Sequence, residues 1–552
     1  MRGVYVGIDV GGTHTDGVAV EGTKILHKVK VRTRESLQEC TLDALRQLLE
    51  GVPTPDIRRV VLSTTLVTNA VVESLLEPAA MLVTAGPGMQ PSSMLPNGAS
   101  RVVRGAMDHR GREIAPLDEA QVCAELDGLH RQGIRVLAVV GKFSIRNPAH
   151  ELRIAELAGD RFDYLALGHG LSGALNFPRR AATAFLAASV WRRHKGFIES
   201  MASALEGFGI RAPLYLLRAD GGTQRALSFR NPAEGSLSGP AASVMGIQAL
   251  DAVAQDTIAL DIGGTTTDIS LYTAGAPLLE PRGATIGPYR TQIRSLYTRS
   301  LGAGGDSLIQ AVDGVIRVGP RRLGPPASLG GEHPTPTDAL VLLGRALGNR
   351  ARAAEALRPI AASAGIGEEE CARRVLQALA RRIADAAAAF IEEVNAKPVY
   401  TIHELLEGHR VRPVRAVAVG GPARAIAAYV EEALDLPVHV PNHFDVANAV
   451  GAALSRVNLE VNAVADTALG RLSIPEAGVH RKISRDCSLD EVRAEAEETL
   501  MGLARDAGVL DPEALPEVVE QESFRIVEGF SAVGSVHRLR VQIRPGILGR
   551  IE

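Results

Sequence analysis

Short runs of β-branched apolar residues alternate along most of the chain with segments in which apolar residues recur every three or four positions. The first pattern is typical of buried strands and the second of amphipathic helices. The predicted helices include residues 37–49, 66–77, 179–206, 368–396 and 489–507. Strands and helices that alternate in this way predict an α/β fold in which helices cover mixed or parallel sheets.

Two segments carry the same pattern, "GIDVGGTHTDGVAV" at 7–20 and "ALDIGGTTTDISLY" at 259–272. Each is an apolar strand ending in Asp, one apolar residue, Gly-Gly-Thr, two further residues, a second Asp and another apolar strand. Each copy also begins one half of the α/β pattern. The sequence therefore predicts a duplicated fold in which each half contributes one loop.

A tight turn of two glycines lets backbone N–H groups approach phosphate oxygens closely. The leading Asp9 and Asp261 are placed to hold Mg²⁺ through water, and Asp261 is also a candidate base. Asp16 and Asp268 close the two loops, either as catalytic carboxylates or as structural caps. We expect a nucleotide's phosphates to lie between the loops. The predicted phosphate-binding residues are Gly11, Gly12, Thr13, Thr15, Gly263, Gly264, Thr265 and Thr266.

A third segment, "VRAVAVGGPARAIAAYV" at 414–430, reads as strand, Gly-Gly-Pro, helix. It resembles the segment that contacts adenosine in actin-like ATPases, which assigns Gly420 and Gly421 to the nucleotide. A Walker-type GxxxxGK[ST] loop does not occur in the sequence. The resemblance implies an actin-like ATPase (ASKHA) fold, with two RNase-H-like halves around a nucleotide cleft and a small C-terminal α+β domain. The expected domain limits are 1–182, 183–458 and 459–552.

The composition argues against several classes of binding partner. The 552 residues carry a formal net charge of −3, which provides no basic excess for nucleic acid or an anionic membrane. No apolar run reaches the ~18 residues of a membrane span, and the first residues show no signal-peptide pattern. The four separated cysteines are typical of reduced thiols. We therefore expect a cytoplasmic protein without a membrane or nucleic-acid partner.

Six segments match, in order, the motifs of one protein family. "GIDVGGTHTD" is similar to its GGTFTD opening, "LSTTLVTNAVVE" to GTTxxTNAxxE and "LSGPAASVMG" to SGPAGGxxG. "LDIGGTTTDISL", "LGAGGDSL" and "PTPTDALVLLGRAL" are similar to DxGGTxxDxxL, GAGGGSI and PTxTDA…LGR. Over about residues 1–455 the chain thus resembles the hydantoinase A / 5-oxoprolinase family, including N-methylhydantoinase A-like and acetone carboxylase beta-type subunits. His14, Ser63 and Asp306 depart from the family's usual Phe, Gly and Gly.

This resemblance implies a subunit that uses ATP and Mg²⁺ to phosphorylate the carbonyl oxygen of a lactam or cyclic imide of the hydantoin or 5-oxoproline type. A hydantoinase B-type partner then completes ring opening, and a homo-oligomer is a further expectation. Gly304 and Gly305 are assigned to a helix start that faces phosphate. Thr64, Thr65 and Asn69 are assigned to the substrate, and a helix N-cap explains the threonines equally well.

Three other functions share part of this pattern. They are a small-molecule kinase, a carboxylase subunit of the same superfamily and a non-enzymatic actin-like ATP switch. The TTxxTN and SGPA blocks argue against a sugar-type kinase, and an activator with an iron–sulfur cluster would need clustered cysteines. The strands expected after Ser523 are apolar at alternate positions, and we expect them to form an edge on which a partner docks.

Overall fold

The computed structural model describes residues 3–33, 36–88, 90–396, 410–509 and 515–552. The α-helices are α1 (Leu37–Leu49), α2 (Leu66–Val72), α3 (Glu119–Arg131), α4 (Ala149–Ala158), α5 (Gly168–Leu171), α6 (Phe177–Gly207), α7 (Ser238–Leu250), α8 (Pro336–Leu342), α9 (Arg350–Ser363), α10 (Glu368–Asn395), α11 (Ala423–Leu434), α12 (Ala447–Leu454) and α13 (Leu489–Ala507). None of the helices in these described ranges is long and apolar enough to cross a lipid bilayer.

The strands fall into several sheets. Those of the first part are β1 (Val4–Val10), β2 (His14–Glu21), β3 (Lys24–Arg32), β4 (Ile57–Thr64), β5 (Ala79–Thr84), β6 (Arg101–Val102), β7 (Ala106–Met107), β8 (Glu113–Ala115), β9 (Val136–Gly141), β10 (Tyr164–Leu167), β11 (Leu214–Leu217) and β12 (Thr223–Arg225). The next are β13 (Thr257–Ile262), β14 (Thr267–Thr273), β15 (Ala276–Pro277), β16 (Thr285–Ile286), β17 (Tyr289–Arg290), β18 (Thr298–Leu301), β19 (Ile309–Val312), β20 (Val315–Val318), β21 (Arg415–Val419) and β22 (Val438–His439). The last are β23 (Leu459–Asp466), β24 (Arg471–Ile474), β25 (Val479–Lys482), β26 (Glu517–Glu528) and β27 (Ser531–Ile543).

The first sheet has the strand order β12-β11-β4-β1-β2-β3. Its central strand β1 is buried along its whole length. β1 pairs antiparallel with β2 and parallel with β4, and β4 pairs parallel with β11. Parallel neighbours end at the same edge of a sheet, so the residues that follow β1 and β4 lie side by side.

The second sheet repeats this arrangement. Its order is β15-β14-β13-β21-β22, with β18 also pairing with β14. β13 pairs antiparallel with β14 and parallel with β21, and β21 pairs parallel with β22. In the two registers Asp9 stands opposite Asp16 and Asp261 opposite Asp268. The predicted mixed α/β fold is therefore confirmed, and the repeated sequence pattern corresponds to a repeated strand order.

Two further sheets extend this core. Strands β10-β9-β5-β6 form a parallel sheet between β4 and β11 in the chain, and β25-β24-β23-β27-β26 form the C-terminal sheet, against which α13 packs.

Helix α6 continues across the domain limit predicted at 182/183, and β11 and β12 after it join the first sheet. The predicted domain limits stay predictions. Only β26 of the last two strands lies at a sheet edge, because β27 pairs on both sides.

Helices α7 and α12 cross between the two main sheets in very close contact. A Cβ atom on Gly7 would lie 2.1 Å from the backbone oxygen of Ala449, and one on Gly451 would lie 2.0 Å from that of Ala242. Such backbone-to-backbone contact leaves no room for a side chain. The two glycines therefore allow α12 to pass directly beneath β1 and to place its first turn at the ends of both central strands.

Candidate active site

The side chain of Asn448 lies between the leading aspartates of the two repeated loops. Its amide Nδ2 donates to Asp9 Oδ2 at 3.3 Å and to Asp261 Oδ2 at 3.1 Å. Asp9 is in β1 and Asp261 is in β13, whereas Asn448 is in the first turn of α12. One amide group therefore joins the corresponding positions of the two sheets into a single site.

The carboxylates of this site are strongly desolvated. The pKa of Asp9 is raised to about 7, chiefly by burial and further by the charges of Asp16 and Asp261. The pKa of Asp268 is raised to about 7 by burial and by the charge of Asp261, and burial also raises the pKa of Asp261. Concentrated negative charge in a buried place is typical of functional sites.

One carboxylate oxygen of the site lacks a partner. Asp9 Oδ1 is buried and makes no hydrogen bond to any residue in the described part of the chain. An unpaired buried carboxylate oxygen is costly, and a second carboxylate nearby makes a divalent cation a chemically suitable partner. The described residues contain no group of three or more His, Cys, Asp or Glu side chains arranged to hold a metal ion, so the donors available here are the two aspartates.

The two predicted phosphate loops close with the same hydrogen bond. Gly11 N donates to His14 O at 3.0 Å, and Gly263 N donates to Thr266 O at 2.9 Å. Gly12 is exposed, as are Thr265 and Thr266 in the second loop, whereas Thr15 is fully buried. The identical closure shows that the two sequence copies form the same turn.

The Gly304–Gly305 segment lies directly against the second loop. Gly305 N donates to Gly263 O at 3.0 Å, and Asp306 N donates to Gly264 O at 2.6 Å. These bonds use the carbonyl oxygens of the second loop. The structure places Ser307 at a turn before β19, where Gly304 N donates to its hydroxyl at 2.9 Å, so the helix start expected at this segment is wrong.

Gly420, the residue that follows β21, lies against the end of β13. Its φ is +94°, and a Cβ atom there would lie 2.4 Å from Ile262 O and 2.7 Å from Asp261 Oδ1. Both the left-handed conformation and the close approach require glycine. Gly420 N donates to Phe444 O at 2.9 Å. The backbone after β21 is therefore fixed against the aspartate that ends β13.

A cavity of about 460 Å³ opens beside Gly421. The guanidinium of Arg424 lies 4.5 Å from the centre of the Phe444 ring, and Arg345 Nη1 donates to Ala425 O at 3.3 Å. The cavity therefore combines an aromatic face with two guanidinium groups, a lining on which a planar nitrogen-containing ring can stack. The lining residues are Arg345, Gly421, Arg424, Ala425 and Phe444.

The predicted substrate residues lie at the ends of β1 and β4. Thr65 Oγ1 donates to Val10 O at 3.4 Å, and Asn69 Nδ2 donates to Thr65 Oγ1 at 3.3 Å. Thr64 Oγ1 accepts from Leu66 N at 3.2 Å. Thr65 is the N-cap residue of α2 but makes no side-chain cap bond. These three residues are next to the strand that carries Asp9.

Several residues of the site have no role assigned to them from the sequence. Ser238 Oγ donates to Thr64 O at 2.9 Å and accepts from Thr64 N at 3.0 Å, which fixes α7 to β4. Asn448 is the polar residue in the helix "ANAVGAAL", whose other residues are small or apolar. This contrast is a sequence signal that could have identified it. Ser243 opposes the raised pKa of Asp261 by hydrogen bonding. These contacts join residues far apart in the chain.

Comparison with known proteins places this chain in a family. A fold of two equivalent sheets with paired glycine loops and aspartates defines a class of α/β protein with one composite site. The hydantoinase/oxoprolinase family matches residues 180–461, and the N-terminal region of the same family matches residues 5–162. The chain belongs to the hydantoinase/oxoprolinase family.

Three characterised relatives show how far the similarity extends. Caprolactamase subunit alpha of Pseudomonas jessenii is 28% identical over 381 residues, 61% of this chain and 54% of that protein. Acetophenone carboxylase gamma subunit of Aromatoleum aromaticum is 30% identical over 311 residues, 51% of this chain and 42% of that protein. The 5-oxoprolinase of Saccharomyces cerevisiae is 26% identical over 411 residues, 62% and 32% respectively. The chain thus spans about a third to a half of these relatives' lengths.

Two solved structures share the fold. The ATP-dependent caprolactamase of Pseudomonas jessenii superposes with a TM-score of 0.72 at 20% identity, over 97% of this chain and 87% of that one. Nucleotide-free acetone carboxylase superposes with a TM-score of 0.70 at 18% identity, over 98% and 88%. At such low identity these likenesses establish the shared α/β architecture alone.

Proposed function

We propose that the chain is the ATP-using subunit of a cyclic amide hydrolase, which phosphorylates the carbonyl oxygen of a lactam or cyclic imide. The observation that carries the proposal is the single amide of Asn448 shared by Asp9 and Asp261. It makes the two repeated loops parts of one site rather than two separate turns. The repeated strand order supports an actin-like ATPase fold with the nucleotide between its halves.

The nucleotide fits the groups that converge on this site. The backbones of the two Gly-Gly-Thr loops provide N–H donors for phosphate oxygens. The cavity beside Gly421, with Arg424 and Phe444, fits adenine. Asp9 and Asp261 would hold Mg²⁺, which needs few protein ligands because it retains waters and binds phosphate. The unpaired Asp9 Oδ1 supports this assignment.

The chemistry follows from the poor reactivity of an amide. Resonance makes its carbonyl carbon a weak electrophile, and ATP supplies a phosphoryl group that converts the carbonyl oxygen into a leaving group. Phosphoryl transfer depends mainly on alignment and charge neutralisation. In our proposal the loops align the phosphates, and Thr64, Thr65 and Asn69 orient the substrate beside Asp9. With a pKa raised to about 7, Asp268 is suited to exchange a proton near neutral pH.

Ring opening itself is assigned to a second subunit. The carbonyl oxygen attacks the terminal phosphorus, and the bond to the ADP oxygen breaks. Water then adds to the activated ring carbon, the ring C–N bond breaks as the nitrogen takes a proton, and a second water hydrolyses the resulting acyl phosphate to carboxylate and phosphate. The described residues around Asn448 supply groups for the first step. Two of the relatives are themselves subunits, the alpha subunit of caprolactamase and the gamma subunit of acetophenone carboxylase. This supports a multi-subunit enzyme with a B-type partner.

Ketone carboxylation is the second candidate function. The 30% identity to an acetophenone carboxylase subunit favours it. A ketone oxygen is activated by the same phosphoryl transfer, so the site described above serves either reaction. The substrate rather than the loop chemistry distinguishes the two candidates.

The test incubates the purified chain with ATP, Mg²⁺ and either a panel of lactams and cyclic imides or a panel of ketones with bicarbonate. ADP and the organic product are measured separately, with and without a co-expressed B-type subunit. We expect ADP formation stimulated by a lactam, and ring-opened product only with the partner. Stimulation by ketones alone would favour the carboxylase. Absence of ADP formation with either panel, with and without the B-type subunit, would refute both candidates.

A further inference from the structure

An arginine from the loop after β20 lies at the second phosphate loop. Arg322 Nη2 is 3.5 Å from Asp306 Oδ2, and their side chains are 30% and 15% exposed. Charged hydrogen bonds are usually about 2.7–2.9 Å long, so this ion pair is loose. A guanidinium carries five N–H donors in a fixed plane, and the longer separation leaves these donors available to a further anion.

Asp306 is held rigidly against the loop. Its N–H donates to Gly264 O at 2.6 Å, and its Oδ1 accepts from Thr337 Oγ1 at 3.3 Å. A Cβ atom on Gly264 would lie 2.8 Å from Asp306 Oδ2, which means that the carboxylate rests on the glycine backbone. Any side chain paired with Asp306 is thereby positioned relative to the phosphate loop.

Arg322 also lies near the first loop. Burial lowers the pKa of His14, and the charges of Lys30, Arg32 and Arg322 lower it further. His14 stands opposite Arg32 in the register of β2 and β3. The residue after Arg32 supports the loop directly, because Thr33 N donates to the carbonyl of residue 13 at 2.9 Å. Arg322 therefore approaches the space between the loops from the opposite half.

The charge balance of the site requires such a cation. Lys30 is already engaged, with its Nζ 2.8 Å from Asp16 Oδ1 and 2.9 Å from the backbone oxygen of Asp445. A polyphosphate chain adds several negative charges to a place that already holds the carboxylates of buried Asp9 and half-buried Asp261. Neutralisation of the phosphoryl group is the main catalytic requirement of its transfer.

We propose that Arg322 binds the terminal phosphate oxygens of the nucleotide and that Asp306 is its positioning residue. This inference rests on the proposed ATP site and deepens it by naming the cation that distinguishes a triphosphate from a diphosphate. Asp306 acts through Arg322: it holds the guanidinium on the second loop and itself touches neither nucleotide nor substrate.

The test measures binding of ATP and of ADP, each with Mg²⁺, to the full chain by titration calorimetry. Arg322→Ala should weaken ATP binding by about ten- to a hundredfold, the factor that follows from loss of a charged hydrogen bond, and should change ADP binding by less than about twofold. Arg322→Lys should restore part of the loss. Arg321→Ala, an exposed arginine of the same loop, is the matched control and should bind both nucleotides like the wild type.

The role of Asp306 is tested by a double-mutant comparison. Asp306→Ala should weaken ATP binding in the wild-type background and have no further effect in the Arg322→Ala background. If Asp306 had a purely structural role, Asp306→Ala would weaken the binding of ATP and of ADP alike, and its effect would add to that of Arg322→Ala. That result would overturn the positioning role. Wild-type ATP affinity in Arg322→Ala would overturn the inference while the ATP site stands. If the unaltered chain binds neither nucleotide, the inference falls with the proposed function.

Discussion

Asp9 and Asp261 end equivalent strands of two different sheets and share one hydrogen-bond donor, the amide of Asn448. The two aspartates are far apart in the sequence, and the helix that carries Asn448 is far from both in the sequence. The three side chains meet because α12 passes between the sheets at glycine contacts.

Replacing either aspartate by asparagine should abolish ATP hydrolysis and leave the fold intact. Asp9→Asn and Asp261→Asn each remove one carboxylate from the proposed metal site, and we expect hydrolysis to fall by at least about a hundredfold. The melting temperature should stay the same or rise, because a desolvated charge is lost. Phosphate release and thermal melts are the measurements. Asp313→Asn, the same change at an exposed hairpin turn, is the control, and undiminished hydrolysis in both site variants would contradict the assignment.

Asn448→Asp should make stability depend on Mg²⁺. Without metal, three carboxylates would meet in a buried place, and mutual repulsion should lower the melting temperature at pH 8. Added Mg²⁺ should restore it, because the cation neutralises the cluster. Asn448→Ala removes the shared donor without adding charge, so its melting temperature should respond to Mg²⁺ no more than that of the wild type. If Mg²⁺ does not raise the melting temperature of Asn448→Asp above its value in a chelator, that result would count against a cation site here.

Substitution by alanine should have very different effects on stability at two neighbouring glycines. Gly420→Ala places a Cβ atom against Ile262 O and Asp261 Oδ1 at a positive φ, whereas a Cβ atom on Gly421 meets nothing within 4 Å. We expect Gly420→Ala to lose about 2 kcal/mol or more of stability. Gly421→Ala should fold normally and weaken ATP binding, because it lines the adjacent cavity. Urea denaturation and nucleotide titration separate these effects, and equal stability of the two variants would show that the predicted clash is relieved.

Buried His194 should make the protein less stable in mild acid. Burial lowers its pKa to about 4, from an ordinary value of 6.5, and its Nε2 lacks a hydrogen-bond partner among the described residues. As the pH falls from 6.5 to 4, the unfolded chain gains a proton that the folded chain does not bind, so stability decreases, by about 2 kcal/mol at pH 5.

The variant His194→Phe keeps a ring against Phe229, which stacks on His194 at 5.4 Å, and removes the titrating group. The loss of apparent unfolding free energy between pH 7.5 and pH 5 should be smaller in this variant by about the same 2 kcal/mol. His109→Phe, at an exposed position, should retain the wild-type pH dependence. An unchanged pH dependence in His194→Phe would mean that this histidine titrates normally.

Periodic segments were predictable from sequence, whereas contacts between distant residues were not. Helices 37–49 and 489–507 have the predicted bounds because their apolar stripes and caps act locally. Helix α2 ends at Val72 rather than at 77, since Ser74 adopts a positive φ of 56°. Strands β11 and β12 were missed, because they are short and are defined by pairing with β4. The edge strand was predicted only in part, since β27 lies inside its sheet.

The same distinction applies to the site. The repeated Gly-Gly-Thr loops were recognisable because each forms its turn from adjacent residues, and both close with the same bond. Asn448, Ser238 and the Arg424–Phe444 pair were not predicted, because their roles depend on packing between the halves.

The central claim is that both loops bind one nucleotide, and a structure with Mg²⁺ and a non-hydrolysable ATP analogue tests it most directly. The account predicts the triphosphate between Gly11–Thr13 and Gly263–Thr265, the metal beside Asp9 and Asp261, and adenine in the cavity at Gly421. A nucleotide bound elsewhere, or one that contacts a single loop, would contradict the claim.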